Sequence, residues 1–487
     1  MLILIRLSGE ITTKSKRTRR RFTERLAGNL RDALAREGLG GEVESGWDRI
    51  YVRTEAADAP DVLRRVFGVR SLSAAIERDF RDPGDIVRLG EEIFRDRVQR
   101  KRFAVRARRV GNVRISVQAL ERELGAALYP YAAGVDLEEP EVTAYVEVRD
   151  GKAYFFTERV EGHGGLPVGV EGRALCLISG GFDSPVAAWF MLKRGVELDY
   201  LFLNLGGCAH EYGALSCAKV LAERWSYGTR PRIHIVDLRP LMEHLHRAVK
   251  PNYWNLILRR LFYRAGELVA EREGHEALVT GEAVGQVSSQ TLHNLAVASE
   301  AVRIQILRPL LGFDKEEIVR HSRVVGTHDI SKGVKEYCAV VPRHPVTRAP
   351  PERVRAEEEK LPLDLLERLV SERRVADLLE LEHAELEVLQ WQIDEIPEGA
   401  LVVDVREPED YRAWHYPGAI NIPLADLPQR ADGLPKGRPI VLYCPVGYQS
   451  LDGAELLRRL GYEAYSFRGG VPALRRHLER ASEKGPG

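Results

Sequence analysis

Cysteine is scarce in this chain: five in 487 residues, an odd number and widely scattered. That argues against a secreted framework of paired disulfides. No apolar run approaches the roughly 20 residues needed to span a bilayer, so no membrane partner is expected. Met1-Leu2-Ile3-Leu4-Ile5 reads as a short strand followed at once by charge. It lacks the basic, apolar, small-residue order of a signal peptide, and a cytoplasmic location is the expectation. Neither sign of charge is in excess, with 72 Lys+Arg against 72 Asp+Glu. A nucleic-acid partner therefore has to be sought in local clustering, not in the total. Internal repeats are lacking, and low complexity is confined to the glycine-rich stretch Gly162–Gly172. What is present, 44% hydrophobic and 30% charged residues, suits a globular protein with ample core and about three domains.

Residues 1–60 read as a small ferredoxin-like α+β unit: a strand at 1–7, a basic helix over 14–36, and strands near 41–44 and 49–53. Phe22, Leu26 and Leu30 recur every fourth residue as the buried stripe of that helix. Its other face carries Lys14, Lys16, Arg17, Arg19, Arg20, Arg21 and Arg25. A charge run is usually a solvated face, but close spacing and few acids favour phosphate binding here. Residues 61–165 read as helices over 62–67, 85–98 and 116–128, a strand over 103–109, and a hairpin of 141–148 with 152–158 around Arg149-Asp150-Gly151. Arg106, Arg108, Arg109 and Arg114 form a second basic cluster, with the strand's arginines expected on one face. Such a row more often serves solubility than recognition. Two adjacent clusters strengthen the case for an RNA or phosphate partner.

Over 173–350, short apolar runs (198–203, 232–236, 277–280) alternate with helical patterns, a doubly wound α/β layout whose ligands gather beyond the carboxyl ends of the strands. The charged, leucine-rich stretch 351–391 reads as linker helices. A last α/β domain over 392–487 has buried parallel strands at 401–405 and 440–443.

The most specific signal is Ser179-Gly180-Gly181-Phe182-Asp183-Ser184, between the apolar run Ala174–Ile178 and a helix with Pro185 in its first turn. A glycine-rich turn from strand to helix offers free amides to an anion, and Gly180 and Gly181 let backbone approach phosphate. No Gly-Lys-Ser/Thr follows, so this is not a Walker loop. The hexapeptide resembles the PP-loop of ATP pyrophosphatases, which cleave ATP between the α- and β-phosphates and adenylate a substrate oxygen. Farther on, Arg259 and Arg260 on a helix over 254–270 could reach a polyphosphate. Thr280-Gly281-Glu282, followed by Gln286 and Ser288-Ser289-Gln290-Thr291, could let adenine or phosphate approach a strand end. Asp183 is the candidate for holding Mg²⁺ or ordering phosphates. Lys315 is the candidate for neutralising charge as pyrophosphate leaves. Asp314 reads as an N-cap with Glu317 three residues later.

Together these residues resemble the tRNA 4-thiouridine synthetase (tRNA sulfurtransferase) family over the full chain. The marks are Gly9-Glu10-Ile11 with Lys14 and the basic helix, the loop Ser179–Ser184, Asn204-Leu205-Gly206-Gly207 with His210-Glu211, Gly281-Glu282, Gln290-Thr291, Arg308-Pro309-Leu310 with Asp314-Lys315, and Glu336-Tyr337-Cys338. The resemblance implies the fold order ferredoxin-like, THUMP, PP-loop, rhodanese. It implies ATP contacts from Leu177, Ile178, Ser179, Gly180, Gly181, Asp183, Ser184, Arg259, Gly281 and Gln290, and adenylation served by Asp183 and Lys315. It further implies tRNA held through Lys14, Lys16, Arg17, Arg20, Arg21, Arg106, Arg108 and Arg109, with uridine 8 as the target. A homodimer is compatible with it.

In the final domain, Cys444-Pro445-Val446-Gly447-Tyr448-Gln449-Ser450 follows a strand and opens a helix, where convergent amides stabilise a thiolate or persulfide. Asp404-Val405-Arg406-Glu407, Trp414 to Pro423 and Gly469-Gly470-Val471 resemble the rhodanese domain. Gln449 stands where rhodaneses often have Arg, which casts doubt on thiosulfate as donor. A cysteine phosphatase would need Arg at position 450 to clamp phosphate, and Ser450 is there. The family implies a persulfide on Cys444 charged by a cysteine desulfurase, and a Cys338–Cys444 disulfide formed on transfer. It also implies a second route, sulfur for a thiazole-synthesis carrier protein in thiamine formation, in which only the rhodanese domain would matter. A tRNA-binding protein with a decayed nucleotide site is a third reading, opposed by the intact loop and Lys315. Cys208 and Cys217, nine residues apart, match no zinc spacing and read as structural, as does Cys176 in the strand before the loop.

Overall fold

The computed structural model describes residues 1–111, 115–149, 151–205, 208–333, 345–381, 391–445 and 449–483. Arg114, Asp150, Gly206, Gly207, Glu336, Tyr337, Cys338, Val446, Gly447 and Tyr448 lie outside the described residues, as do the side chains of Cys208 and Ala209. The chain forms two compact units. One comprises Met1–Glu171 with Leu192–Glu197 and Arg224–Thr229, the other the remainder.

The first unit is built on one long sheet. Strands β1 (Leu2–Leu7), β2 (Glu42–Ser45), β3 (Arg49–Arg53), β4 (Val69–Asp79), β5 (Arg102–Val110), β6 (Gly134–Val135), β7 (Val142–Arg149) and β8 (Lys152–Phe156) lie in the order β2-β3-β1-β4-β8-β7-β5-β6. A short ninth strand, β9 (Val160–Glu161), pairs with β4. β1 is buried along its whole length and sits centrally, antiparallel to β3 and β4. The helix Lys16–Arg36 starts where the Ser15 side chain accepts from the Thr18 amide. It lays Phe22, Leu26 and Leu30 against Ile3, Ile5 and Leu7, the stripe read from the sequence.

β4 had no counterpart in the sequence reading, because its Ser-Leu-Ser-Ala-Ala interior lacks bulky alternation. It pairs with β1 over Val69–Ala75 and with β8 over Ile76–Asp79. One strand thus serves both halves of the unit, and the boundary read at residue 60 falls before it. The helix expected over 62–67 runs instead over Ala59–Leu63, with Pro60 pre-setting its first turn. In the second half, the helices Pro83–Val98 and Val117–Leu128 cover β5, β7 and β8 through Phe94, Leu120, Leu124 and Phe155. Their approach is close: a Cβ on Gly90 would come within 2.9 Å of Leu124.

The second unit contains two sheets. The larger has strands β10 (Arg173–Leu177), β11 (Glu197–Asn204), β12 (Arg232–Asp237), β13 (Ala277–Val279), β14 (Gln305–Leu307) and β15 (Arg374–Asp377), in the order β14-β13-β10-β11-β12-β15. The chain leaves β10 toward β11 and β12, then returns to its other side as β13 and β14. The carboxyl end of β10 is therefore the topological switch point, where such sheets open a crevice. Residues 351–391 were expected to be linker helices, and helices do form over Pro351–Glu358 and Leu363–Ser371, but they do not act as a linker. Instead Val354, Leu361, Leu365, Leu366 and Val370 enter the core beneath the helix Trp254–Glu273, and β15 adds an antiparallel edge to β12. Those leucines are amphipathic because they cover a sheet. The smaller sheet, β16 (Gln392–Ile393), β17 (Leu401–Asp404), β18 (Ile420–Asn421), β19 (Ile440–Tyr443) and β20 (Ala464–Phe467), is parallel in the order β16-β20-β19-β17-β18. Among the described residues no helix is long and apolar enough to cross a membrane.

His234 on β12 is fully buried, and its Nδ1 accepts from Arg373 Nε at 3.3 Å. Burial lowers its pKa from 6.5 to about 4. The unfolded chain therefore binds a proton that the folded state refuses, and stability declines as pH falls from about 6.5 toward about 4. His234→Gln is expected to flatten that part of the stability–pH curve, as followed by urea unfolding at a series of pH values.

Candidate active site

Ser179 to Ser184 occupy the switch point. β10 ends at Leu177, and the Ile178 amide bonds to the Leu201 carbonyl at 2.9 Å. The turn is tied across its mouth: Ser184 Oγ lies 2.8 Å from the Ser179 amide, which donates to it, and 3.0 Å from Ser179 Oγ. Ser331 Oγ donates to the Gly181 carbonyl at 3.1 Å. The helix Asp183–Lys193 then begins, its first-turn amides unspent inside the helix. Gly281 follows β13 and presses directly on this turn. A Cβ there would lie 2.6 Å from the Ser184 nitrogen and 2.7 Å from the Asp183 carbonyl carbon, so only glycine fits.

Asp183 and Lys315 come together, 132 residues apart, with Nζ at 2.8 and 3.1 Å from the two carboxylate oxygens. Lys315 is delivered by its helix, capped by Asp314 and Glu317 in a capping box as read from the sequence. Gln286 Nε2 donates to Asp183 Oδ2 at 2.8 Å. The sequence showed Gln286 only as one polar residue among several after a strand end. Glu282 is a buried hub, contacted by Arg308 Nε at 2.6 Å, Thr280 Oγ1 at 3.0 Å, Tyr263 and Arg259. Arg259 also donates to Ser289 Oγ at 3.1 Å, and its buried Nε has no partner among the described residues. Gln290 braces the loop, its Oε1 accepting from the Ala283 amide at 3.3 Å. Arg260 does not join the site. It is buried on a different face of the helix, bonding the Val297 carbonyl at 2.6 Å and Glu358 at 2.7 Å. Helical phase separates these neighbours by about 100°, so Arg260 points away from the loop, against the expectation that both arginines reach a polyphosphate, while Arg259 faces Glu282 and Ser289. A cavity of about 680 Å³ opens beside the loop, lined by Phe182, Gln286, Phe313 and Lys315 among others.

Cys444 follows β19 and is fully buried. Ser450 Oγ donates to its sulfur at 3.5 Å and lies 2.8 Å from Ser466 Oγ on β20. Gly470 closes the other side: a Cβ there would lie 2.4 Å from the Cys444 carbonyl oxygen, which accepts from the Val471 amide at 3.1 Å. The Ser450 hydroxyl thus serves the thiol from the position where a phosphatase would place Arg. Asp404 is clamped by Arg406 through contacts of 2.6 to 3.2 Å. Burial raises the Cys176 thiol, and raises that of Cys217 to about 12 against a smaller opposing effect of its bond to Ser331. Neither is a nucleophile at neutral pH.

In the first unit, Lys14, Lys16, Arg17, Arg20 and Arg21 are all exposed, and Arg20 pairs with Glu24 at 2.8 Å. Arg19 lies 4.5 Å over the Trp47 ring, which is itself exposed. Arg25 is structural, donating to the Val168 and Gly228 carbonyls at 2.8 and 2.9 Å. Arg106, Arg108 and Arg109 are exposed but do not share a face. Arg109 is an odd number of residues from the other two, so strand alternation sends it to the opposite side, where it bonds the Ile115 carbonyl at 3.1 Å.

Four family models match in sequence: the ThiI ferredoxin-like domain over residues 2–73, the THUMP domain over 80–158, Thiamine biosynthesis protein (ThiI) over 169–363, and the Rhodanese-like domain over 387–477. The tRNA sulfurtransferase of Desulfurococcus amylolyticus is 42% identical over 98% of this chain and 99% of its own. That of Escherichia coli is 35% identical over 95% and 98%. A 4-thiouridine synthetase solved in complex with RNA and ATP aligns with a TM-score of 0.68 and 33% identity, over 77% of this chain and 98% of that one.

Two substitutions probe the geometry. Gly281→Ala is expected to displace the loop and weaken ATP binding at least about tenfold by calorimetry, since backbone atoms cannot yield as side chains do. Ser450→Ala is expected to slow alkylation of Cys444 by iodoacetamide, and Ser450→Thr is expected to restore it, because the hydroxyl donated to the sulfur is lost in one and kept in the other.

Proposed function

The chain belongs to the tRNA sulfurtransferase family, and on that premise we propose that it uses ATP to transfer sulfur to uridine 8 of tRNA, forming 4-thiouridine. The observation that carries this reading is the convergence of Asp183, Lys315 and the glycine-rich loop at the switch point. The buried Arg259 Nε, unpartnered among the described residues, and the first-turn amides of the helix Asp183–Lys193 suit a nucleotide. Leu177 at the end of β10, Ile178 just beyond it, and Gly281 and Gln290 after β13 lie at the same switch point. A Mg²⁺ held through Asp183 would add charge neutralisation to that of Lys315.

Uracil O4 attacks the α-phosphorus, an O–P bond forms, the α–β linkage breaks, and the N3 proton is lost. Lys315 stabilises charge on the departing pyrophosphate. A cysteine desulfurase supplies sulfane sulfur to Cys444 as Cys444–S–S⁻. The terminal sulfur attacks C4 and AMP leaves. The Cys338 thiolate then attacks Cys444 Sγ and breaks its bond to the transferred sulfur, which stays on the base. The resulting Cys338–Cys444 disulfide is reopened by a two-electron reductant. Ser450 holds the thiolate before and after each transfer. The exposed cations of the first unit would hold tRNA through phosphates and shape.

Sulfur delivery to a thiazole-synthesis carrier is a second reading, favoured by the description of the family model matched over 169–363. It would need Cys444 and not Asp183.

Asp183→Ala and Lys315→Ala are each expected to reduce thiolation on the order of 10²–10³-fold. Cys444→Ala is expected to abolish thiolation while leaving tRNA-dependent pyrophosphate release intact. Thin-layer analysis of labelled pyrophosphate alongside mass spectrometry of the tRNA checks both. Full thiolation by Asp183→Ala would overturn the assignment of the loop.

A further inference from the structure

The cavity of about 680 Å³ beside the loop has a lining that nucleotide binding leaves unexplained. None of Leu177, Ile178, Arg259, Gly281 and Gln290 lines it. It borders the glycine-rich loop through Gly181 and Phe182, and Asp183 through Lys315 and Gln286, the two side chains that hold its carboxylate. Its size falls within the roughly 300–1,000 Å³ of small-molecule sites. Phe182 and Phe313 present half-buried rings to it, and Val284 and Val287 stand exposed at 44% and 46%. These are the surfaces on which an unstacked base lies flat. Gln286 adds polarity of one kind. Its Nε2 is committed to Asp183, and its buried Oε1 accepts nothing among the described residues. An acceptor stripped of water lacks a donor.

We infer that this cavity seats the target base, an extruded uracil, stacked between Phe182 and Phe313 with its N3–H donated to Gln286 Oε1. The inference rests on the reading of the chain as an RNA sulfurtransferase and deepens it. Uracil offers a donor at N3 where cytosine offers an acceptor, so the same contact discriminates between the pyrimidines. Gln286 thereby links base recognition to the position of Asp183, and O4, on the carbon next to N3, is carried toward the Asp183–Lys315 end of the cavity.

The product RNA supplies its own probe, because 4-thiouridine cross-links under near-ultraviolet light to whatever touches it. Full-length protein irradiated with tRNA carrying 4-thiouridine at residue 8 is expected to yield cross-linked peptides containing Phe182, Val284–Val287 or Phe313. Phe313→Ala and Gln286→Leu are expected to lose at least about tenfold in kcat/KM for tRNA, with the Kd for ATP of Phe313→Ala within about twofold of wild type. Phe313→Tyr should recover most of the loss. Cross-links confined to other peptides in an enzyme that thiolates tRNA would overturn the pocket alone, as would undiminished kcat/KM in both variants. Cross-links within the cavity of a wild-type enzyme that thiolates nothing would support the pocket and overturn the functional reading.

Discussion

One carboxylate organises the nucleotide crevice. Asp183 lies in the first turn of its helix, where the backbone dipole favours negative charge, and it is met by the Lys315 ammonium and the Gln286 amide. Each partner arrives on a different segment. Lys315 comes from a helix capped by Asp314, and Gln286 from the loop after β13. The contact survives only because Gly281 allows that loop to touch the backbone of Asp183 and Ser184. Doubly wound topology explains why these segments meet. Strand order reverses at β10, and loops from both directions converge on its carboxyl end.

The cysteine end follows the same logic at smaller scale. A buried parallel strand, β19, ends at Cys444, a helix follows, and a glycine with positive φ, Gly470, lets a second helix start against the Cys444 carbonyl. Two hydroxyls, Ser450 and Ser466, replace the guanidinium that a phosphate-handling loop would carry. A neutral donor suits a group whose charge is diffuse on sulfur, whereas a fixed cation suits an oxyanion. In the proposed reaction the two sites would divide the chemistry: one would activate an oxygen as a leaving group, and the other would store a soft nucleophile.

Much of this was legible in the sequence where function and local structure coincide. Ser179–Ser184 announced itself because glycines between an apolar run and a helix have few other uses. Asp314 and Glu317 declared a helix start, and Phe22, Leu26 and Leu30 declared a buried face. The failures share one cause, that a side chain's destination is not a local property. Arg259 and Arg260 are adjacent and chemically identical, yet one faces Glu282 and the other Glu358. Arg109 differs from Arg108 by one step of strand alternation. The leucines after Pro351 showed amphipathicity, but not the sheet they would cover.

Residue order by itself determined the element types, the glycine turn, the caps and the candidate nucleophiles, because these depend on φ/ψ preferences and on periodicity within a few residues. Tertiary structure alone decided that Gln286 reaches Asp183, that Glu282 gathers four partners, that β4 is shared by both halves of one sheet, and that a cavity of about 680 Å³ opens next to Lys315. Those outcomes arise when chain segments tens to more than a hundred residues apart pack in one arrangement. Which atoms then come within hydrogen-bond reach is set by strand order and helical phase summed over the whole fold.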